Sequence, residues 1–182
     1  AQQYYHQRSI GKVAMSVVSA DGHFDIPEGT ITIVGRPPLE EGGADSWEEW
    51  GVDKTTVKTV TFPATVTSIG EYAFKGCSSL VTVTIPDSVT SIGRYAFYGY
   101  SWLMTITIPG SVTNIRYGAF MNCTSLVTII IPDSVDSIGV QAVAGCSSLV
   151  TVTIPDSVTS IGISAFGGCS SLVTVTIPDS VT

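Results

Sequence analysis

Four cysteines, Cys77, Cys123, Cys146 and Cys169, are the side chains of this 182-residue chain that could most readily hold a soft metal or form a disulfide. Zinc ligands come as close pairs that fold back around an ion. These cysteines are spaced by 46, 23 and 23 residues, and side chains repeated at one position of a stacked unit point in parallel rather than converging. Parallel Cβ vectors also suit a disulfide poorly. The expectation is a column of buried free thiols, interrupted by Tyr100. Secreted proteins usually oxidise their cysteines, so this count does not assign a compartment. His6 and His23 are the only histidines, and no Gly-x-Ser-x-Gly elbow, His-Glu-x-x-His motif or phosphate loop is present. Asp87, Asp133, Asp156 and Asp179 each follow a proline and precede a serine. That is turn chemistry, with too few oxygens per site for calcium. No catalytic residue, metal site or cofactor is expected.

The elements that position these residues follow from the same interval. Prolines 63, 86, 109, 132, 155 and 178 also fall 23 apart, and residues 146–168 begin again at Cys169. A fixed period of this length is the signature of a solenoid, in which each coil buries its core against the next. Within a coil, Val83 and Ile85 are two apart, as in a strand, whereas Phe74, Cys77 and Leu80 are three apart, as in a tight helical turn. The predicted fold is an α/β solenoid. Its short parallel strands stack in one sheet, with short helical or 3-10 turns and extended segments through Val89 and Ile92 on the other side. At about 4.8 Å per coil, six coils span on the order of 25 to 30 Å.

The segments Ile-Pro-Asp-Ser-Val-Thr-Ser-Ile-Gly and Ala-Phe-x-Gly-Cys-Ser-Ser-Leu (residues 73–80) resemble the BspA-like class of leucine-rich repeats. The likeness covers residues 57–182, with an echo at 26–35. The ladder position, Asn or Cys in the general leucine-rich pattern, is here Ser88, Ser111, Ser134, Ser157 and Ser180. The resemblance implies a secreted or surface-exposed scaffold that binds proteins, matrix or host surfaces, and it implies no catalytic residues.

Columns 23 residues apart expose two candidate surfaces. Thr59, Thr82, Thr105, Thr128, Thr151 and Thr174 form one outward row, and Thr61, Thr84, Thr107, Thr153 and Thr176 a second, broken at Ile130. Similar grids occur in ice-binding β-solenoids, although threonine is also simply a good strand residue. The second surface is a break in the pattern. Arg94, Tyr95, Tyr98, Tyr100, Trp102, Arg116 and Tyr117 stand where other coils carry small residues, and Tyr, Trp and Arg are the types enriched at interface hot spots. They are expected to form a convex patch for a protein or glycan, with Tyr100 either displacing core packing or emerging beside Trp102. Asn122-Cys123-Thr124 is a glycosylation sequon if the chain is secreted.

Residues 1–56 read as an atypical cap: a degenerate first coil, a candidate hairpin turn at Asp21-Gly22, and an acidic insertion at 36–54 whose Trp47 and Trp50 shield the end of the core. Residues 57–182 are the array. The net charge is −7, with −5 carried by residues 1–56 and −2 by the rest, which disfavours nucleic acid as a partner. No apolar run is long enough to span a membrane. The start at Ala1 and the stop within a coil fit a processed chain or an internal start, and an open last coil that more chain or another protein covers. The expected location is extracellular or at the cell surface, or else an organelle lumen. The runner-up roles are an ice-binding surface and a structural subunit assembling through the carboxyl-terminal coil.

Overall fold

The computed structural model of the chain describes residues 21, 23–28, 30, 32, 33, 46–49 and 51–182. In chain order its elements are β1 (His23–Asp25), β2 (Thr32–Ile33), α1 (Ser46–Glu49), β3 (Thr59–Thr61), β4 (Ser68–Ile69), β5 (Thr82–Val83), β6 (Ser91–Ile92), β7 (Thr105–Thr107), β8 (Asn114–Ile115), β9 (Thr128–Ile130), β10 (Ser137–Ile138), β11 (Thr151–Thr153), β12 (Ser160–Ile161) and β13 (Thr174–Thr176). All strand pairs are parallel, and within the array each residue faces the one 23 positions on, as in Thr151↔Thr174 and Ser137↔Ser160. The chain is a parallel-strand solenoid.

One expected sheet becomes three. The Ser-Ile pairs do more than run extended: β2, β4, β6, β8, β10 and β12 make a six-stranded sheet of their own. An extended segment stacked on a copy of itself presents backbone N–H and C=O groups that must find partners, and the neighbouring coil supplies them. The Thr-x-Thr strands divide into β1-β3-β5 and β7-β9-β11-β13.

The expected helical or 3-10 turns do not form: among the described residues the one helix is α1, which precedes the array. Separate turns, closed by Lys75 N–H to Tyr72 O, Cys77 N–H to Phe74 O and Leu80 N–H to Cys77 O, carry the chain round. Positive φ at Tyr72 and Gly76 breaks what would otherwise be a helix, and recurs at Tyr95 and Gly99, Gly118 and Asn122, Gln141 and Gly145, and Ser164 and Gly168. A helix requires an unbroken run of negative φ. The three-residue spacing of Phe74, Cys77 and Leu80 therefore reports a chain of tight turns.

The core is built of columns. Phe74, Phe97 and Phe120 are fully buried and stack with ring centroids 5.1 and 5.3 Å apart. Full burial of such a side chain contributes about 1.5–3 kcal/mol. Two polar ladders run beside them. Ser134, Ser157 and Ser180 donate from Oγ to Val112 O, Val135 O and Val158 O at 2.7 Å. Cys123, Cys146 and Cys169 donate from Sγ to Phe97 O, Phe120 O and Val143 O at 3.1 to 3.2 Å. The four cysteines form no disulfide, and Cys169 is only half-buried. The neighbouring Cys123 thiol, together with burial, pushes Cys146 up to about 12, which makes it a structural and not a reactive sulfur.

At the amino-terminal end Trp47 is fully buried, 5.5 Å from Phe24 and 5.7 Å from Phe74, and donates from Nε1 to Ala73 O at 2.7 Å. It covers the first ring of the phenylalanine stack. Trp50, Gly22 and residues 36–45 lie outside the described residues, as does any partner strand for the hairpin. At the other end Phe166, Leu172 and Val175 are only partly buried, and Ile163, Val173 and Ile177 are exposed.

Candidate functional site

The stacking is uniform except at one junction, between the coil of residues 77–99 and that of residues 100–122. Elsewhere, equivalent backbone bonds recur coil after coil. Val127 N–H bonds Met104 O, Asp136 N–H bonds Thr113 O, and Gly139 N–H bonds Ile115 O. The counterparts here would join Met104 to Val81, Thr113 to Thr90 and Arg116 to Ile92, and none of the three forms. β5 and β7 do not pair either. The junction is held mainly on the turn side, through Tyr95 N–H to Tyr117 O, Phe97 N–H to Ala119 O and Gly99 N–H to Met121 O, with the Ile92↔Ile115 pair of β6 and β8 and the Ser111 Oγ bond to Val89 O beside them. The two coils are splayed along the Thr-x-Thr strands, joined by a single residue pair, Ile92↔Ile115, in the Ser-Ile sheet, and closed along the turns.

Two side chains explain the splay. Tyr100 occupies the cysteine column and is 4% exposed, its ring packed edge-on to Phe97 at 6.0 Å. Its hydroxyl is buried without a hydrogen bond. Burial, and then the nearby Cys77 thiol, push its ionisation far above the ordinary phenol range. Tyr100 therefore corrects the expectation that it joins a partner-facing patch: it is a wedge in the core. Arg116 occupies a column that is otherwise Gly70, Gly93, Gly139 and Gly162. A Cβ at Gly93 or Gly139 would lie 2.6 to 2.8 Å from backbone atoms of the coil before, so a side chain fits in this column only where the coils stand apart.

The remaining aromatics of the break do assemble. Tyr95 stacks on Tyr72 at 5.0 Å and meets Tyr98 and Tyr117 edge-on at 5.7 and 5.1 Å. The Arg94 guanidinium lies 5.3 Å over the Tyr117 ring, and Lys75 lies 5.2 Å over Tyr72. Tyr117 donates to Gln141 Oε1 at 2.8 Å. The Tyr117 hydroxyl beside Tyr95 pushes the latter up to about 12, and burial raises Tyr72. Gly118 makes the cluster possible, because a Cβ there would sit 2.6 Å from the Tyr95 ring. Trp102 is 62% exposed and shares a small hollow of about 80 Å³ with Tyr98 and Tyr100. A second, larger hollow of about 360 Å³ is lined by Arg94, Asn114, Arg116, Tyr117 and Ser137.

Tyr72, Asn114 and Met104 escaped the sequence reading. Asn114 breaks the column Ser68, Ser91, Ser137 and Ser160, a signal that was present but unused. Met104 is 62% exposed, two residues from Trp102, in a column that reads Lys58, Val81, Val127, Val150 and Val173 in the other coils. The threonine rows are interrupted: Thr84 lies outside β5, and the ladder stops between Thr82 and Thr105. Thr105, Thr107, Thr151, Thr153, Thr174 and Thr176 are exposed on the four-stranded sheet, with Thr128 half-buried and Ile130 exposed among them. Thr59 and Thr61 stand on the three-stranded sheet near His23, whose ring nitrogens lie 2.7 and 3.0 Å from their hydroxyls. Asn122 is half-buried with φ 61°, and its Nδ2 lies 3.4 Å from the Tyr98 hydroxyl.

Short parallel strands repeated every 23 residues, with a ladder of serine side chains after them bonded to the coil before at Ser111, Ser134, Ser157 and Ser180, define a leucine-rich-repeat solenoid. Six copies of a BspA type leucine rich repeat region match residues 52–173, and the chain belongs to that family. Among solved structures it is similar to the leucine rich repeat protein of T. pallidum, with 32% identity over 90% of this chain and 68% of that one and a TM-score of 0.67. A leucine-rich repeat protein from Bacteroides ovatus shares 33% identity over 88% of this chain and 37% of that one, at a TM-score of 0.62. A protein from Faecalibacterium prausnitzii, described as a leucine rich cell surface protein, shares 32% over 88% and 52%, at a TM-score of 0.56. This chain thus spans about a third to two thirds of the length of these solved chains. No curated protein matches it. Among the described residues no helix is long and apolar enough to cross a membrane.

Proposed function

We propose that the chain is a non-catalytic recognition module, secreted or surface-exposed, that holds a protein, matrix or glycan partner at the surface built by residues 72–117. One observation carries this reading. The departures from a repeat that is otherwise nearly uniform gather at a single junction, and there they bring Tyr72, Tyr95, Tyr98, Tyr117, Arg94 and Trp102 to the surface. A scaffold whose only task was to stack would gain nothing from splitting its own Thr-x-Thr ladder. Stacked tyrosines present rigid amphipathic area with little side-chain entropy left to lose. The description of the Faecalibacterium prausnitzii relative as a cell surface protein supports the location.

The test is capture of the native partner from the source organism's surface fraction by the wild-type chain and by Tyr98→Ala and Trp102→Ala variants. Both side chains are at least partly exposed, so the fold tolerates their loss. Partner capture is expected to fall tenfold or more for the pair, on the scale of hot-spot truncation; undiminished capture by the folded double variant refutes the reading.

The ice-binding alternative is less well supported, because the threonine ladder is discontinuous.

A further inference from the structure

We propose that the hollow lined by Arg94, Asn114, Arg116, Tyr117 and Ser137 is a subsite for the carboxylate of an acidic sugar, a uronate unit of a glycan. This names the ligand chemistry of the recognition surface proposed above and rests on that reading.

The column pattern is the first support. Where neighbouring coils read Ser-Ile-Gly, this one reads Asn114-Ile115-Arg116, followed by Tyr117 and the displaced glycine, Gly118. Each of the three altered side chains lines the same hollow of about 360 Å³. The displaced glycine is needed there, since a Cβ at 118 would strike the Tyr95 ring that backs Tyr117. A random scatter of substitutions would fall on several faces of the coil.

Charge is the second. The chain carries −7 overall, and residues 117–182 contain no lysine or arginine. Two of the four bases in residues 57–182 nevertheless face this one hollow. Among the described residues the ion pair present is His23 with Asp25, so neither guanidinium has a carboxylate within salt-bridge reach. Glu71, one coil before Arg94 in the same column, does not close on it. A guanidinium fork matches a carboxylate in two parallel hydrogen bonds. Arg116 also lacks the backbone bond to Ile92 that its column otherwise makes.

Shape favours a sugar over an acidic peptide. The hollow is open to solvent, and beside its apolar lining half-buried Asn114 and Ser137 supply an amide and a hydroxyl. Protein partners are held by side chains seated in desolvated pockets, and no such pit is present here. A pyranose ring offers hydroxyls to Asn114 and Ser137 while its carboxylate lies between the two arginines. Tyr117 is held in place by Arg94 over its face and by its bond to Gln141.

The experiment is calorimetric titration of the whole chain with a short oligogalacturonate, its methyl ester and a polyglutamate peptide of matching charge. Variants Arg116→Gly and Asn114→Ser install the residues of the neighbouring coils, so the fold is retained, which circular dichroism verifies. Saturable binding of the oligogalacturonate is expected, weaker for the ester and for Arg116→Gly by about tenfold or more, as for loss of a charge-assisted hydrogen bond. No binding by the wild type, equal binding of the ester, or an unchanged affinity in Arg116→Gly overturns the proposal. Preference for polyglutamate overturns it in favour of an acidic peptide. If the sugar fails here while Tyr98→Ala and Trp102→Ala still abolish partner capture, the recognition reading survives without this ligand.

Discussion

If Tyr100 and Arg116 together hold two coils apart, reverting both should restore bonds that neither reversion restores alone. The perturbation is a double-mutant cycle of Tyr100→Cys and Arg116→Gly, each the residue of the neighbouring coils. Tyr100→Cys removes a buried hydroxyl without a partner, a gain of about 2 kcal/mol. It also removes a buried ring worth about 3 kcal/mol, so the single variant is destabilised by about 1 kcal/mol. Arg116→Gly removes an exposed side chain and adds backbone freedom, a loss of about 0.5–1 kcal/mol. With both wedges gone the coils close, and the amides of residues 104, 113 and 116 regain the missing backbone bonds at about 1 kcal/mol each. The double variant should therefore exceed the sum of the singles by about 2–3 kcal/mol, and the wild type by about 1 kcal/mol. Urea unfolding of the four proteins measures this. Hydrogen exchange at the amides of residues 104 and 113 adds a local readout, slowed only in the double variant. Additivity within about 0.5 kcal/mol, or exchange unchanged at both amides, would refute the account of the splay.

Other consequences follow from single columns. Ser157→Ala should destabilise the chain by about 1 kcal/mol through the lost bond to Val135 O, whereas Ser88→Ala should be neutral or stabilising, because Ser88 Oγ is buried without a partner; chemical denaturation of the two variants makes the comparison. Gly139→Ala places a Cβ 2.8 Å from the Arg116 backbone and should lose about 2 kcal/mol or more, as overpacking against backbone does, with a melting temperature lower by several degrees. Alkaline titration carries a sign. Tyr95 and Tyr100 ionise above the free-phenol value when folded, so the stability they contribute is complete below about pH 10 and lost as pH rises through their folded values. Phenolate absorbance should therefore show one tyrosine that titrates only as the chain unfolds, and that component should vanish in Tyr100→Phe.

The period of 23 made the coil, its core columns and the parallel stacking legible, because a solenoid repeats its physics along with its residues. The turns were misjudged for a local reason. Phe74, Cys77 and Leu80 satisfy helical spacing, and what forbids the helix is a left-handed backbone at Tyr72, which no glycine announces. The second sheet was missed because an alternating pair as short as Ser-Ile has no period to detect. The candidate surface was legible as a cluster of departures but not in its layout. Sequence placed Tyr100 with Trp102; depth separates them, one buried and the other exposed. Asn114 went unnoticed because it differs from serine by little, and only its position beside Arg116 in the hollow gives it meaning.

The register of the ladders also bears on how such a chain can change its length. In the array every paired strand is offset by 23, while β1 with β3 and β2 with β4 share an offset of 36. Because both offsets agree, the surplus of 13 falls in the sequence after Ile33, and neither sheet is put out of register. Gain or loss of a whole coil would likewise leave every remaining ladder in register, so the molecule tolerates lengthening by copying in a way that a globular core does not. Residues 100–122 are the exception. Excising or duplicating that coil would keep the stack intact while deleting or doubling the junction, and with it whatever the junction recognises.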